Sequence, residues 1–157
     1  MKKFELTAEF VTNVFGKKLF RIKALVAFGN VEKGELGGFI ENEDNLSHDG
    51  NAWVSGDAKV FGNAWVSGDA KVSGNARVSG NADYAVVTGF GRYFRTTTFF
   101  RCEDKILRVQ CGCFYGDLAQ FREIVKKTHG DSKYAKEYLA IADLMELHFS
   151  DECGGEQ

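Results

Sequence analysis

The chain has 157 residues, 44% of them apolar, and a formal charge of −2 at pH 7, the dimensions of one compact unit. No run approaches the roughly 18 apolar residues of a membrane span, and Met1-Lys2-Lys3-Phe4-Glu5-Leu6 has no apolar signal region behind its basic residues, so neither a membrane nor export is expected. Four irregularly spaced cysteines, Cys102, Cys111, Cys113 and Cys153, make no disulfide framework and no CxxC pair, which points to a reducing, cytoplasmic compartment.

Residues 4–14 and 18–28 are β-rich runs around Phe15-Gly16-Lys17 and predict an N-terminal hairpin. From about residue 34, Leu36, Ile40 and Leu46 approach the phase of a hexapeptide repeat. Residues 47–82 are six copies of that hexapeptide: SHDGNA, WVSGDA, KVFGNA, WVSGDA, KVSGNA, RVSGNA. A fixed short period is the mark of a stacked architecture in which each copy supplies one strand and one corner. Val54, Val60, Val66, Val72 and Val78 form one column and Ala52, Ala58, Ala64, Ala70, Ala76 and Ala82 another, both expected to point inward. Gly56, Gly62, Gly68, Gly74 and Gly80, each before Asp or Asn, suit tight corners. Three corners close a coil of 18 residues, which places Trp53 beside Lys71, Lys59 beside Arg77 and Trp65 beside Asp83 at about 4.8 Å. Trp53, Phe61 and Trp65 then fall in outward columns.

Beyond the repeats, strands are predicted over 84–88, 92–101 and 105–111, the last two turning at 102–104. Asp117 and Gln120 form a capping-box pair for a helix with the stripe Leu118, Phe121, Ile124 and Val125, ended by Gly130. A second helix runs from Asp131 or Ser132 to about Phe149, with Ala135, Tyr138, Leu139, Ala142 and Met145 on one face. Residues 151–157 are expected to fray.

The inward aliphatic and small residues of the repeats resemble the left-handed parallel β-helix of bacterial hexapeptide-repeat proteins. Closer still, Leu36-Gly37-Gly38-Phe39-Ile40-Glu41, then Asn45-Leu46-Ser47, then the Trp-Val-Ser-Gly-Asp-Ala copies and a Cys-Phe-Tyr-Gly motif before a helical end resemble uncharacterised proteins of tailed phages and prophages. The resemblance alone implies the left hand, since parallel crossovers in general favour the right. The expected fold is therefore mainly β with C-terminal α. A short left-handed parallel β-helix of about two and a half to three coils is capped by an N-terminal hairpin and by a C-terminal hairpin with two helices. The expected organisation is 1–33 as N-terminal cap, 34–88 as repeats and 89–157 as C-terminal module.

Hexapeptide transferases commonly use a histidine base, which makes His48 the candidate for a degenerate acyl- or nucleotidyltransferase. Its place in the valine column of the first hexad turns it toward the prism interior or its N-terminal mouth and favours a buried or capping role. His129 and His148 sit at helix ends, where the dipole explains them. The spacing of the three histidines does not match the zinc set of hexapeptide carbonic anhydrases. Cys111-Gly112-Cys113 would face one side of a strand by alternation alone, so no metal or other cofactor is expected. The outward columns lack the threonine array of an ice-binding face, and three acidic against three basic residues in the hexads exclude an acidic DNA mimic.

Two features exceed a scaffold. Trp53, Phe61 and Trp65 require a cover, from the chain's own caps, a second copy or a foreign partner. Arg92, Tyr93, Arg95, Arg101 and Arg108 interleave charge with aromatics, and the stretch 92–108 carries net charge +3, the composition that grips phosphates and stacks bases. The expected function is non-enzymatic binding by an oligomeric phage-type scaffold, with a host protein complex as partner in the host cytoplasm and counter-defence of the anti-CRISPR kind as the analogy. A homotrimer is implied by the resemblance. The alternatives are a transferase using His48 and a nucleic-acid module using the 92–108 hairpin.

Overall fold

A computed structural model describes residues 2–150; residues 151–157, with Cys153 and the expected frayed end, lie outside the described residues. In chain order the strands are β1 (Phe4–Thr12), β2 (Lys18–Ala24), β3 (Leu36–Ile40), the two-residue strands β4 (Trp53–Val54), β5 (Lys59–Val60), β6 (Lys71–Val72) and β7 (Arg77–Val78), then β8 (Tyr84–Phe90), β9 (Arg95–Arg101), β10 (Leu107–Cys111) and β11 (Phe114–Asp117). Helices α1 (Leu118–His129) and α2 (Lys133–His148) complete the described chain.

These strands do not close into one solenoid. They fall into three separate sheets, ordered β1-β2-β3-β5-β7, β4-β6 and β11-β10-β9-β8, and with the two helices the molecule is mixed α/β. The expected mainly-β fold built on a single left-handed β-helix is thereby corrected. The physical reason is the length of each ladder. A hexad contributes at most two residues of strand, whereas the flanking segments contribute up to nine, so the longer strands decide how the sheets are partitioned. The N-terminal hairpin adjoins the first strand of the β3-β5-β7 ladder: β2 pairs antiparallel with β3, Phe20 opposite Ile40 and Arg21 opposite Phe39, and continues that sheet beyond the repeats.

The period does set the register within the repeats. Trp53 lies opposite Lys71 and Val54 opposite Val72, Lys59 opposite Arg77 and Val60 opposite Val78, all in parallel. The valine column is fully buried, and so are the alanines from Ala52 to Ala76. Gly56, Gly62, Gly68 and Gly74 turn the corners at φ of 64–65°. Gly80 is extended at φ −161°, and there the chain leaves the repeat. Residues 81–83 form a 3-10 turn, Ala82 is exposed, and Trp65 N–H donates to Asn81 Oδ1. The expected pair of Trp65 and Asp83 does not form.

Upstream, the phase slips by two residues. Ile40 lies opposite Val60 and Leu46 bridges to Val66, both twenty residues apart, so Leu46 fills the valine column where His48 was expected. Asn45 holds this shift in place: its buried side chain accepts from Glu41 and Asn42 N–H and donates to the carbonyls of Gly62 and Ala64. Gly37 is required by close approach, since a Cβ there would stand 2.5 Å from Val54 O.

Two of the three outward aromatics, Trp53 and Phe61, are covered by N-terminal segments of the same chain. Trp53 is 4% exposed, with the Phe28 ring edge-on at 5.3 Å. Phe61 is 5% exposed and packs with Leu19 and Phe39, burial of about 1.5–3 kcal/mol per large apolar side chain. Trp65 remains 52% exposed.

Residues 84–117 form a four-stranded antiparallel sheet, one strand more than predicted. The extra strand β11 arises because Gly112-Cys113 is a two-residue hairpin turn, Cys111 opposite Phe114; Gly112, at φ +58°, provides the positive φ that such a turn demands at its first position. The sheet lies between two cores. Phe100 and Cys102 pack with the repeats, while Phe99 and Val109 pack with Phe121, Val125, Tyr138 and Met145 of the helices. Its repeat-facing side also closes an open edge: Thr98 Oγ1 accepts from Lys71 N–H, Ser73 Oγ donates to Gln110, and Ala76 bridges to Cys102. Unpaired strand edges invite foreign pairing, and this one is spent internally. The helices keep their predicted signals, with the Asp117–Gln120 capping box and Gly130 at the end of α1, and Ser132 capping α2.

Candidate binding site at the tip of the C-terminal sheet

The connection between β8 and β9, residues 91–94, is a turn held from beneath by α2. Glu137 accepts from Gly91 N–H at 2.9 Å and the Tyr138 hydroxyl donates to Phe90 O at 3.3 Å. Gly91 has φ +80°, and a Cβ on it would meet Tyr138 Oη at 2.1 Å, so only glycine lets the turn sit this close to the helix. Pinned there, the turn carries its side chains outward. Tyr93 and Phe94 are 68% and 67% exposed, Phe94 at a positive φ of 55°, and Arg92 and Arg95 are exposed beside them.

Under this turn, between the sheet and α1, lies a cavity of about 210 Å³. Its apolar lining is Phe114, Phe121, Val125 and, from an exposed position, Ile124. Its polar lining is Arg92, Tyr93, Arg95, Thr128, His129 and Tyr138, with the Cys111 thiol. The rings are locked together. Tyr138 meets Phe121 edge-on at 5.8 Å and His129 at 5.8 Å, and Phe121 meets Phe99 and Phe114. Burial, with Cys111 beside it, pushes the Tyr138 phenol up to about 12, so it is a neutral donor at physiological pH. Cys111 Sγ accepts from Thr97 Oγ1. Arg92 has neither an ion pair nor a hydrogen bond among the described residues, and the Arg95 guanidinium lies over the Tyr93 ring at 5.5 Å and against Gly112, with no ion pair among the described residues. Glu137, the acid that reaches this turn, is engaged with Gly91 N–H and pairs with neither arginine.

The expected binding residues therefore separate. Arg92, Tyr93 and Arg95 share one site. Arg101 and Arg108 do not: Arg101 pairs with Asp83 at 3.3 Å and lies over the Phe149 ring at 5.3 Å. Arg108 donates to Asp104 at 2.8 Å, which holds the Asp104 carboxyl down at about 2. Both are internal cement, because β9 starts at Arg95 rather than Arg92 and its far end is docked on the repeats. Trp53 and Phe61, expected as interface residues, are instead covered by the chain's own N-terminal segments, one of the three covers considered for the outward columns, and Trp65 stands apart from the cavity.

His48 leaves the valine column to Leu46 and packs against the N-terminal segment, in keeping with the structural role favoured for it. Its ring stacks on Phe4 at 4.2 Å, Nδ1 accepts from Lys3 N–H at 3.0 Å and Nε2 meets Glu43 Oε1 at 3.1 Å. With Nδ1 an acceptor, the proton sits on Nε2 and is donated to Glu43, so neither nitrogen is free to serve as a base. Hydrogen bonds from Lys2 and His48 hold the Glu43 carboxyl below its usual range.

Sequence reasoning missed the helix half of the cavity. Phe121, Val125 and Tyr138 read as a packing stripe and His129 as a dipole partner, and both readings are compatible with lining a cavity as well. The signal available was the Cys-Phe-Tyr-Gly motif, whose Phe114 is a wall of the site. No protein-family model matches the chain, and no curated protein matches its sequence. No helix among the described residues is long and apolar enough to cross a membrane.

Proposed function

We propose that this protein acts by binding rather than by catalysis, and that the turn at residues 91–94 with Arg95 is its recognition surface. The observation that carries the reading is the pairing of two unneutralised arginines, Arg92 and Arg95, with two largely exposed aromatics, Tyr93 and Phe94, on a turn fixed by Glu137 and Tyr138. Exposed aromatics beside arginine are the composition of interface hot spots, and a turn already held in one conformation loses little entropy on binding. The order of parts, which resembles that of phage and prophage proteins, supports a host protein in the host cytoplasm as the partner, and the resemblance of the repeats to hexapeptide proteins supports a homotrimer as the assembled form. The engaged nitrogens of His48 and the internal ion pairs of Arg101 and Arg108 weigh against the transferase and nucleic-acid readings.

The test is capture from bacterial lysate by the wild-type chain and by an R92A/Y93A/R95A variant with unchanged circular dichroism. A protein retained by the wild type and lost by the variant is expected. Retention that ignores the substitutions, or retention of nucleic acid alone, refutes the proposal.

A further inference from the structure

The geometry points to the cavity beneath the turn as a binding site for a small aromatic anion, one ring bearing a carboxylate or a phosphate, independent of any protein partner. Three observations converge on that chemistry. The apolar part of the lining, Phe114, Phe121, Ile124 and Val125, offers rings and aliphatic carbon, which accept an apolar ring and disfavour a bare ion. The mouth gathers Arg92, Arg95 and His129; among the described residues no carboxylate pairs with either arginine, and the His129 imidazole makes no hydrogen bond. Two arginines without an ion pair among the described residues leave their donors available, and a bound anion gains charge-assisted hydrogen bonds from them.

Size selects the ring. At about 210 Å³ the cavity falls below the range of about 300–1,000 Å³ usual for drug-sized ligands, so it takes a single ring with its substituents, with the charged group left at the mouth. The site is also preformed. Tyr138 is fixed by Phe90 O and by the rings of Phe121 and His129, and its raised phenol remains a neutral wall.

The experiment titrates the full-length, isotope-labelled chain with phenyl phosphate and with phenylacetate, two arms that distinguish the anionic head. Benzyl alcohol and inorganic phosphate alone are the controls. Amide shifts are expected at Gly91, Cys111 and residues 128–130. At least one anionic ring should bind about tenfold or more tighter than either control, a difference of about 1.4 kcal/mol. An R92A/R95A variant should lose that advantage, and T128W, which fills the mouth from an exposed position on α1, should abolish the shifts with the fold intact. Absence of shifts with both anionic rings up to about 10 mM, a concentration above the millimolar dissociation constants of weak specific binding, overturns the proposal. Equal binding of benzyl alcohol, or no change in R92A/R95A, does the same. Because small ligands alone are used, failure of this titration leaves the lysate experiment unaffected.

Discussion

Lys3 is a buried cation near the start of the chain. Its side chain runs under Phe28, the ammonium 4.6 Å from the ring centre, and donates to Ala52 O at 2.7 Å and Gly50 O at 3.3 Å. Burial lowers its pKa from 10.5 to about 8, with Lys71 acting in the same direction and Asp49 and Asp69 opposing. The folded protein therefore gives up this proton at lower pH than the unfolded chain. Below about pH 8 both states hold the proton and the desolvation penalty is fully present. Between pH 8 and 10.5 only the unfolded state holds it, so this group's contribution to stability rises with pH. Tyrosines with raised pKa, Tyr115 and Tyr138, act oppositely at high pH, as does Cys102, and a difference measurement removes them. The stability of the wild type minus that of K3M, from urea unfolding, should be flat below about pH 7.5 and rise in favour of the wild type from pH 8 to about 10.5. A flat difference over the whole range contradicts the burial of a charged Lys3.

At the scale of elements, the junction between β3 and the repeats depends on one side chain. Asn45 satisfies two backbone donors and two backbone acceptors in a site 1% exposed. Its replacement by alanine leaves Glu41 N–H its bond to Val60 O but takes this partner from Asn42 N–H and the carbonyls of Gly62 and Ala64, each at about 1–3 kcal/mol when no water reaches it, so N45A should lose about 3 kcal/mol or more in denaturant unfolding. N45D keeps the accepting oxygen but turns a carboxylate oxygen toward the carbonyls of Gly62 and Ala64, and should also be strongly destabilised. If N45D were neutral, the assigned direction of those bonds would be wrong. This junction also separates what is legible in the sequence from what is not. The Asn45-Leu46-Ser47 segment is visible as a motif, but counting sixes backward from Val54 puts His48 in the inward column. Only the two-residue slip, set by Asn45 and by Leu46 against Val66, moves it out. Helix ends are legible because Asp117, Gln120, Gly130 and Ser132 act on their own neighbours. The partition into three sheets is not, because β2 joining β3 and Phe99 facing the helices are decided by contacts between distant segments. The same distance hides the cavity, whose walls come from β9, β10, β11, α1 and α2.

At the scale of the molecule, β9 joins the two cores. Phe99 and Phe100 are adjacent and fully buried, one in the core shared with α1 and α2 and the other in the core shared with the repeats. A strand whose two faces complete different cores couples their unfolding, since neither core survives the loss of the strand between them. The molecule carries its own pair of probes for this. Both tryptophans, Trp53 and Trp65, lie in the repeats, while the helical far-UV signal comes from α1 and α2 beyond the sheet. Tryptophan fluorescence and far-UV circular dichroism should therefore trace one coincident transition in denaturant. F99A and F100A should each lower stability by about 3–5 kcal/mol and move both probes together. If F100A shifted the fluorescence midpoint and left the helical midpoint in place, the two cores would be separate folding units. The turn at residues 91–94 would then be anchored to the helices alone, and its fixed position would owe nothing to the repeats.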